Sequence, residues 1–374
     1  MKPRKDQWLV CILFCGFLAG MMVLYLCLPK AEFSLQEKRY LAKQPELTWE
    51  SLSGGEFSAD VDSYMADHIP GRSFFVGLNA YYDLLTGRQA SKDILLTKDQ
   101  RLVEAPVRWD GAAVEKNMAV LNRFAEASQV PVDLMVVPSA GWAAEEKILG
   151  LADAYQDETI IDSIYAMAGP SLRTVDVLSV FEETGAPETL YYKTDHHWNS
   201  SGAHLAYRMY MELLGREYHD QQDYDIERIP DFRGSTHSRS ALWLTPGEGL
   251  ELWHGGDSIS VLHEETDVPH DGIFFRDRLT EADKYTVFLG GNHSLVRLEN
   301  PDAAGSGKLL VIRDSFSNCL GGFLADSFET VVLVDLRYYR QSVSDLMAQE
   351  QFDQVLICYS IGNFLTDTNM IWLR

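Results

Sequence analysis

Cysteine is nearly absent from the body of this 374-residue chain. Of its five cysteines, Cys11, Cys15 and Cys27 sit in one apolar N-terminal run, and only Cys319 and Cys358 lie elsewhere. That excludes a disulfide framework and a thiolate zinc cluster. One bridge at most could form, and two buried free thiols are expected instead. The chain also lacks an HExxH pattern, a Walker loop, a dinucleotide-type glycine loop, a repeat and any low-complexity tract. Positive charge is scarce: 32 Lys and Arg face 55 Asp and Glu, for a net charge of −23. Residues 1–30 hold four basic side chains and one acidic one, so the remainder carries −26. Such a surface repels phosphate backbones and argues against nucleic acid as a partner. It is also a poor match for a strongly anionic polymer.

What is present begins with "WLVCILFCGFLAGMMVLYLCL", residues 8–28, which carries no charge. At about 1.5 Å per residue this run can cross a hydrocarbon core of roughly 30 Å. Lys2, Arg4 and Lys5 precede it, which sets the N-terminus in the cytoplasm and the body outside. The run is longer than the apolar core of most signal peptides, and no small-x-small cleavage site follows it. An uncleaved, single-pass anchor is therefore expected, with a cleaved signal peptide as the rival. Beyond it, hydrophobic content of 46% with 11% aromatics suits a globular body with a core.

Residues 31–100 look like a helical connector, its apolar spacing interrupted by Pro70–Gly71. Residues 101–374 look like one α/β domain. Buried strands are expected at "VDLMVVP" (132–138), "TVDVLSVF" (174–181), "YTVFLGG" (285–291), "KLLVIR" (308–313), "TVVLVDLRYY" (330–339) and "QVLICYSIGNF" (354–364). Helices are expected at 201–215, with Gly215 as the stop, and at 342–350. Alternation of this kind implies a largely parallel sheet flanked by helices, with ligands at the carboxyl ends of the strands. Residues 216–280 read as loops and short strands.

Two stretches carry chemistry. In "LLVIRDSFSN" a buried strand runs into Arg313 and Asp314, and Ser315 falls at the turn into a helix. That position exposes a hydroxyl above the sheet and aims helix N-terminal N–H groups at whatever it attacks. The plainer reading makes Asp314 or Ser315 a helix cap. In "TDHHWNSSG" (194–202), Asp195, His196, His197 and Trp198 stand side by side before a helix start. A serine needs a histidine to take its proton, and the histidine needs a carboxylate to hold its tautomer. Asp195 and His197, two apart in a tight loop, can form such a pair. A metal site built from Asp195, His196, His197 and His204 is the competing reading. Adjacent histidines do not easily face one ion, so no metal is expected.

The stretches "TDHHWNSSGAHLAY", "KLLVIRDSFSN", "VVLVDLRYY" and "QVLICYSIGNF", in this order, resemble the DHHW proteins. These are related to the accessory proteins of alginate O-acetylation and to the wider SGNH hydrolase-like superfamily. The resemblance implies an SGNH-like fold with the Asp-x-His pair ahead of the serine. It implies Ser315 as nucleophile, His197 as general base and Asp195 as its orienting carboxylate, with His196 in the variable middle place. Trp198 is expected beside the imidazole, as a core residue or a substrate contact. Arg337, Tyr359 and Asn363 follow at strand ends where related enzymes carry substrate or oxyanion groups; a surface ion pair is the alternative for Arg337. Gly290, Gly291 and Asn292 form a second oxyanion candidate, or simply a glycine turn.

The activity so implied is O-acetyl transfer to a cell-surface or secreted polysaccharide through an acyl-serine. It needs no cofactor, and acetyl-CoA is not expected outside the cell. A membrane-bound O-acyltransferase is implied as the acyl donor. A carbohydrate esterase and a non-catalytic glycan-binding or assembly protein are the alternatives.

Overall fold

The computed structural model describes residues 5–374 apart from 35–38, 89, 149–153, 257 and 267. Two compact units divide the chain: Met1–Ser91 with Ser238–Trp243, and Lys92–His237 with Leu244–Arg374. The second unit thus begins at Lys92, a few residues before the expected start of the α/β domain.

In the first unit, the helix Lys5–Cys27 contains an apolar stretch, Trp8–Cys27, of mean hydropathy 2.6 and with none of its core window buried. A surface helix of a soluble protein would show a polar face, and this one shows none. It is long and apolar enough to cross a membrane. Lys2 and Arg4 lie outside the described residues. Three short helices follow, Trp49–Gly54, Glu56–His68 and Arg72–Leu85. Gly55 and Gly71 separate them at φ 81° and 71°, left-handed values that a side chain would resist. The expected break at Pro70–Gly71 is where the last two part.

The second unit is built on an eight-stranded sheet. Five of its strands are parallel neighbours: Thr330–Val334, Lys308–Arg313, Gln354–Ser360, Val132–Val137 and Leu172–Val175. The four longest read as near-continuous apolar runs and are buried almost throughout, as strands covered on both faces must be. On the Thr330–Val334 side, Leu295–Glu299, Ser260–His263 and His270–Asp271 extend the sheet antiparallel. The sheet is therefore mixed at one edge, beyond a parallel centre. Helices Ser200–Leu214 and Ser317–Ala325 pack on each other. Gly215 ends the first of these at φ 64°. A separate hairpin pairs Asp225–Phe232 with Glu248–His254 inside the region read as loops and short strands.

Two expected strands fall elsewhere. Residues 174–181 are not one strand: Leu172–Val175 is extended, and Asp176 then caps the helix Val177–Glu183 by accepting from Ser179 N–H. An apolar run interrupted by one aspartate does not reveal that switch. Residues 285–291 are not a strand either. Lys284–Val287 is a 3-10 turn, and Leu289, Gly290 and Gly291 follow with φ 54°, 74° and 100°. Three left-handed residues in a row cannot be extended. Cys319 and Cys358 are both buried free thiols.

Candidate active site

The strand Lys308–Arg313 runs parallel to Gln354–Ser360, with Arg313 level with Cys358. Both strands end at the same edge, so the turn after Arg313 faces the start of the helix Ile361–Thr366. Asp314 fastens the two. Its Oδ2 accepts from Ser360 N–H at 2.8 Å, Ser360 Oγ–H at 2.7 Å and Asn363 Nδ2–H at 2.8 Å, and its Oδ1 accepts from Phe316 N–H at 3.0 Å. A fully buried carboxylate is tolerated because four donors surround it. Ser315 is held at this pinned turn.

The loop 194–199 approaches from another element. Tyr191 and Trp198 pair across its neck, and Asn199 caps the helix Ser200–Leu214. Asp195 Oδ1 accepts from His197 N–H at 3.0 Å and from Nδ1–H at 2.6 Å, while Oδ2 accepts from Ser235 N–H at 2.6 Å. Locking Nδ1 as donor leaves Nε2 with a lone pair. That nitrogen lies 2.7 Å from Ser315 Oγ. Asp195, His197 and Ser315 are only 1%, 5% and 8% exposed. A line of hydrogen bonds thus joins a carboxylate, an imidazole and a hydroxyl in a nearly dry site, the geometry that turns a serine into a nucleophile.

Two family models match this chain. The DHHW protein model covers residues 173–334, which include both the Asp195–Trp198 stretch and Ser315. The model of the SGNH hydrolase-like domain of acetyltransferase AlgX covers residues 94–238. Its family resemblance is to the DHHW proteins. Among solved structures, a DHHW family protein from Eubacterium siraeum superposes with a TM-score of 0.65 at 22% identity, covering 75% of this chain and 94% of its own. Bacillus cereus PatB1 bearing a sulfonyl adduct superposes at 0.63 with 21% identity, covering 75% and 98%. At such identities these two establish the fold. Comparison with curated proteins found no match.

In this DHHW-like chain the remaining residues of the motif divide sharply. His196 stacks on His197 with ring centroids 3.8 Å apart, but its Nδ1 meets Ser235 Oγ at 2.5 Å rather than Ser315. Desolvation, then the neighbouring His197, lowers its pKa. Trp198 is fully buried and donates from Nε1 to the Phe316 carbonyl at 3.0 Å. It ties the histidine loop to the turn that carries Ser315, which fits the core-residue reading of Trp198. Asp195, His196 and His197 each bring a ligand-type atom within 4.8 Å of the others. Yet both His197 nitrogens and His196 Nδ1 already have partners in Asp195, Ser315 and Ser235. His204 is elsewhere, with Nε2 on the His219 carbonyl at 2.8 Å.

The expected oxyanion groups are redistributed. Arg337 is bound in bidentate fashion to buried Asp335, at 2.8 and 2.6 Å, and so fits the ion-pair alternative. Tyr359 is a core residue, edge-on to Phe364. Asn363 holds Asp314. Gly290 and Gly291 make the left-handed turn that presents Asn292, whose Oδ1 accepts from Asn318 Nδ2–H at 3.0 Å and Arg313 Nη1–H at 3.3 Å. Three further residues were not singled out from sequence. Arg313 is wholly buried, donates to Asn318 Oδ1 at 2.5 Å, and finds no partner for Nε and Nη2 among the described residues. Burial depresses its pKa. Asn318 lies one helical turn past Ser315, its N–H on the Ser315 carbonyl at 3.1 Å. Tyr285 lies against His197. An arginine and an asparagine flanking "DSFS" were legible as polar residues in apolar surroundings; nothing marked Tyr285.

Proposed function

We propose that this chain transfers an acyl group, most simply acetyl, to a hydroxyl of a polysaccharide outside the cytoplasm. The observation that carries the reading is the unbroken Asp195–His197–Ser315 line, with contacts of 2.6 and 2.7 Å. In the first step Ser315 Oγ attacks the acyl carbonyl carbon while His197 Nε2 takes its proton. The tetrahedral intermediate collapses, the bond to the donor's leaving oxygen breaks, and His197 returns the proton to that oxygen. In the second step a sugar hydroxyl attacks acyl-Ser315, giving its proton to His197, which passes it back to Ser315 Oγ. Asp195 holds the imidazole and stabilises its charged form throughout. Arg313, Asn318 and Asn292, hydrogen-bonded to one another beside the Ser315 turn, would supply the donors for the developing oxyanion.

The match to a domain described as that of an acetyltransferase supports acyl transfer. The sulfonyl adduct of PatB1 is the kind of product an activated nucleophile gives with a sulfonyl reagent, and supports a reactive residue in this fold. The N-terminal helix, read as an anchor with a cytoplasmic N-terminus, would keep Ser315 near a membrane-bound acyl donor. Trapping with a fluorophosphonate tests the nucleophile: labelling of the wild type and its loss in Ser315→Ala are expected, whereas an unlabelled wild type would leave a non-catalytic glycan binder. An activated acetyl ester with and without a sugar acceptor then separates transfer from hydrolysis. Acetylated sugar is the expected product, and free acetate alone would make the chain an esterase. Protease added to spheroplasts should digest the body; its full protection would overturn the topology.

A further inference from the structure

The first unit shows an apolar surface that the acyl-transfer chemistry does not use. The helix Arg72–Leu85 is apolar on two opposite sides. One side, with Gly77 and Ala80, is buried. The other carries Phe74, Phe75, Leu78, Tyr82 and Leu85, which are 42–87% exposed. At about 100° per residue, these five fall within one arc of roughly 100°. No charged side chain interrupts the arc: the helix has only Arg72 and Asp83, and both lie outside it. Five large apolar residues in one exposed stripe exceed the scatter of single apolar groups normal on a protein surface.

Where this stripe sits in the unit suggests what covers it. Ala31 follows the membrane-length helix by four residues, and its carbonyl meets His68 Nε2 at 3.1 Å. Asp67 next to it accepts from Arg39 Nη1 at 2.9 Å and bridges Arg72 at 3.6 Å. The base of the striped helix is thus fastened within a few residues of the point where the anchor ends. Phenylalanine, tyrosine and leucine are side chains suited to the headgroup boundary. The first unit also exposes Trp49, Leu52, Met65 and Ile69, so apolar surface gathers in the unit that carries the membrane-length helix.

We infer that the Phe74–Leu85 stripe lies in the bilayer interface, so that the helix Arg72–Leu85 is a second, in-plane membrane contact beside the anchor. The inference rests on reading the N-terminal helix as a membrane anchor. Its consequence is a first unit that meets the membrane at two places rather than at the anchor alone.

The test uses the full-length chain with Cys11, Cys15 and Cys27 replaced by alanine, reconstituted in zwitterionic vesicles. Single cysteines Leu78→Cys, Tyr82→Cys and, as a solvent control on the preceding helix, Asp60→Cys carry an environment-sensitive dye. Buried Cys319 and Cys358 should stay unlabelled, which reports that each variant is folded. Flotation with the vesicles reports the anchor separately; a chain that does not float overturns the anchor and this inference with it. The expected result is flotation, with the dyes at 78 and 82 quenched by spin-labelled lipid several-fold more than the dye at 60, and the reverse order for iodide. Flotation with 78 and 82 as open to iodide as 60 overturns the membrane contact while the anchor stands. Shielding from iodide without lipid quenching also overturns it, and assigns the stripe to a second copy of the chain.

Discussion

Tyr285 lies flat on the imidazole of His197, with ring centroids 3.9 Å apart and planes within 7° of parallel. The same tyrosine reaches the Ser315 carbonyl with its hydroxyl at 3.4 Å. Phe316 closes on the imidazole from 5.0 Å. Hydrogen bonds fix the direction of a ring's nitrogens, but only packing fixes its tilt. Tyr285→Ala should therefore slow fluorophosphonate labelling of Ser315 by about 10²-fold, the usual effect of misplacing a reacting group by about 1 Å. Tyr285→Phe should label nearly as the wild type does. Equal rates for all three would mean that the stack is packing without a role in aim.

The triad should fail as a unit. Ser315→Ala and His197→Ala should each abolish acyl transfer, since residues that act together lose function together. Asp195→Asn should slow it by about 10²–10⁴-fold through the wrong tautomer. His196→Ala should lose far less, because His196 meets Ser235 and not the nucleophile. Acetyl content of the surface glycan in a complemented deletion strain measures all four. A dead His196→Ala beside an active His197→Ala would reverse the assignment of the base.

Asp314 is expected to act through the fold. Asn with its amide nitrogen at the Oδ2 position, which accepts from three of the four donors, sets a donor against donors and leaves buried groups unsatisfied at Ser360 and Asn363. The loss should be about 3 kcal/mol of stability, with slowed serine labelling. Denaturant midpoints measure the first, and an unchanged midpoint would show that the turn is held by its strands alone.

Burial lifts the Asp326 carboxyl from its ordinary 3.8 to about 6, only partly opposed by the Tyr224 hydroxyl that donates to it at 3.0 Å. Below pH 3.8 the group is neutral in both folded and unfolded chains, and folding is not penalised. As pH rises through about 6 the folded chain must bear a half-buried charge that the unfolded chain leaves in water. Stability from this group is thus lost on going from acid to neutral. Asp326→Asn should be more stable than the wild type by on the order of 2 kcal/mol at neutral pH, with the difference vanishing towards pH 4. Thermal melts of both proteins across that range provide the check; a difference independent of pH would remove the titration from the explanation.

Much of this was legible in the sequence because buried parallel strands and helix stops leave local marks. The strands at 132–137, 308–313 and 354–360 announce themselves as apolar runs, and Gly215 as a stop. The errors have local causes too. At 174–181 one aspartate inside an apolar run turned a strand into a cap and helix. At 285–291 the apolar residues serve a turn packed on the site, and periodicity cannot tell a buried turn from a buried strand.

By itself, then, the sequence determined the four longest parallel strands, the apolar N-terminal helix, the acidic body, and the identity of the two stretches that carry Asp195, His197 and Ser315. These follow from properties of neighbours along the chain: hydropathy, charge, and an Asp-x-His spacing short enough to pair within one loop. The tertiary structure alone decided which side chains meet around Ser315. Ser315 is 118 positions from His197, and their 2.7 Å contact exists only because the sheet brings a strand end under a loop from another element. The same closure seals Trp198 and Tyr359 in the core and lays Tyr285 on the imidazole. A side chain's partners depend on register and packing across the sheet, and those are set by the whole unit's burial rather than by any residue's neighbours in sequence.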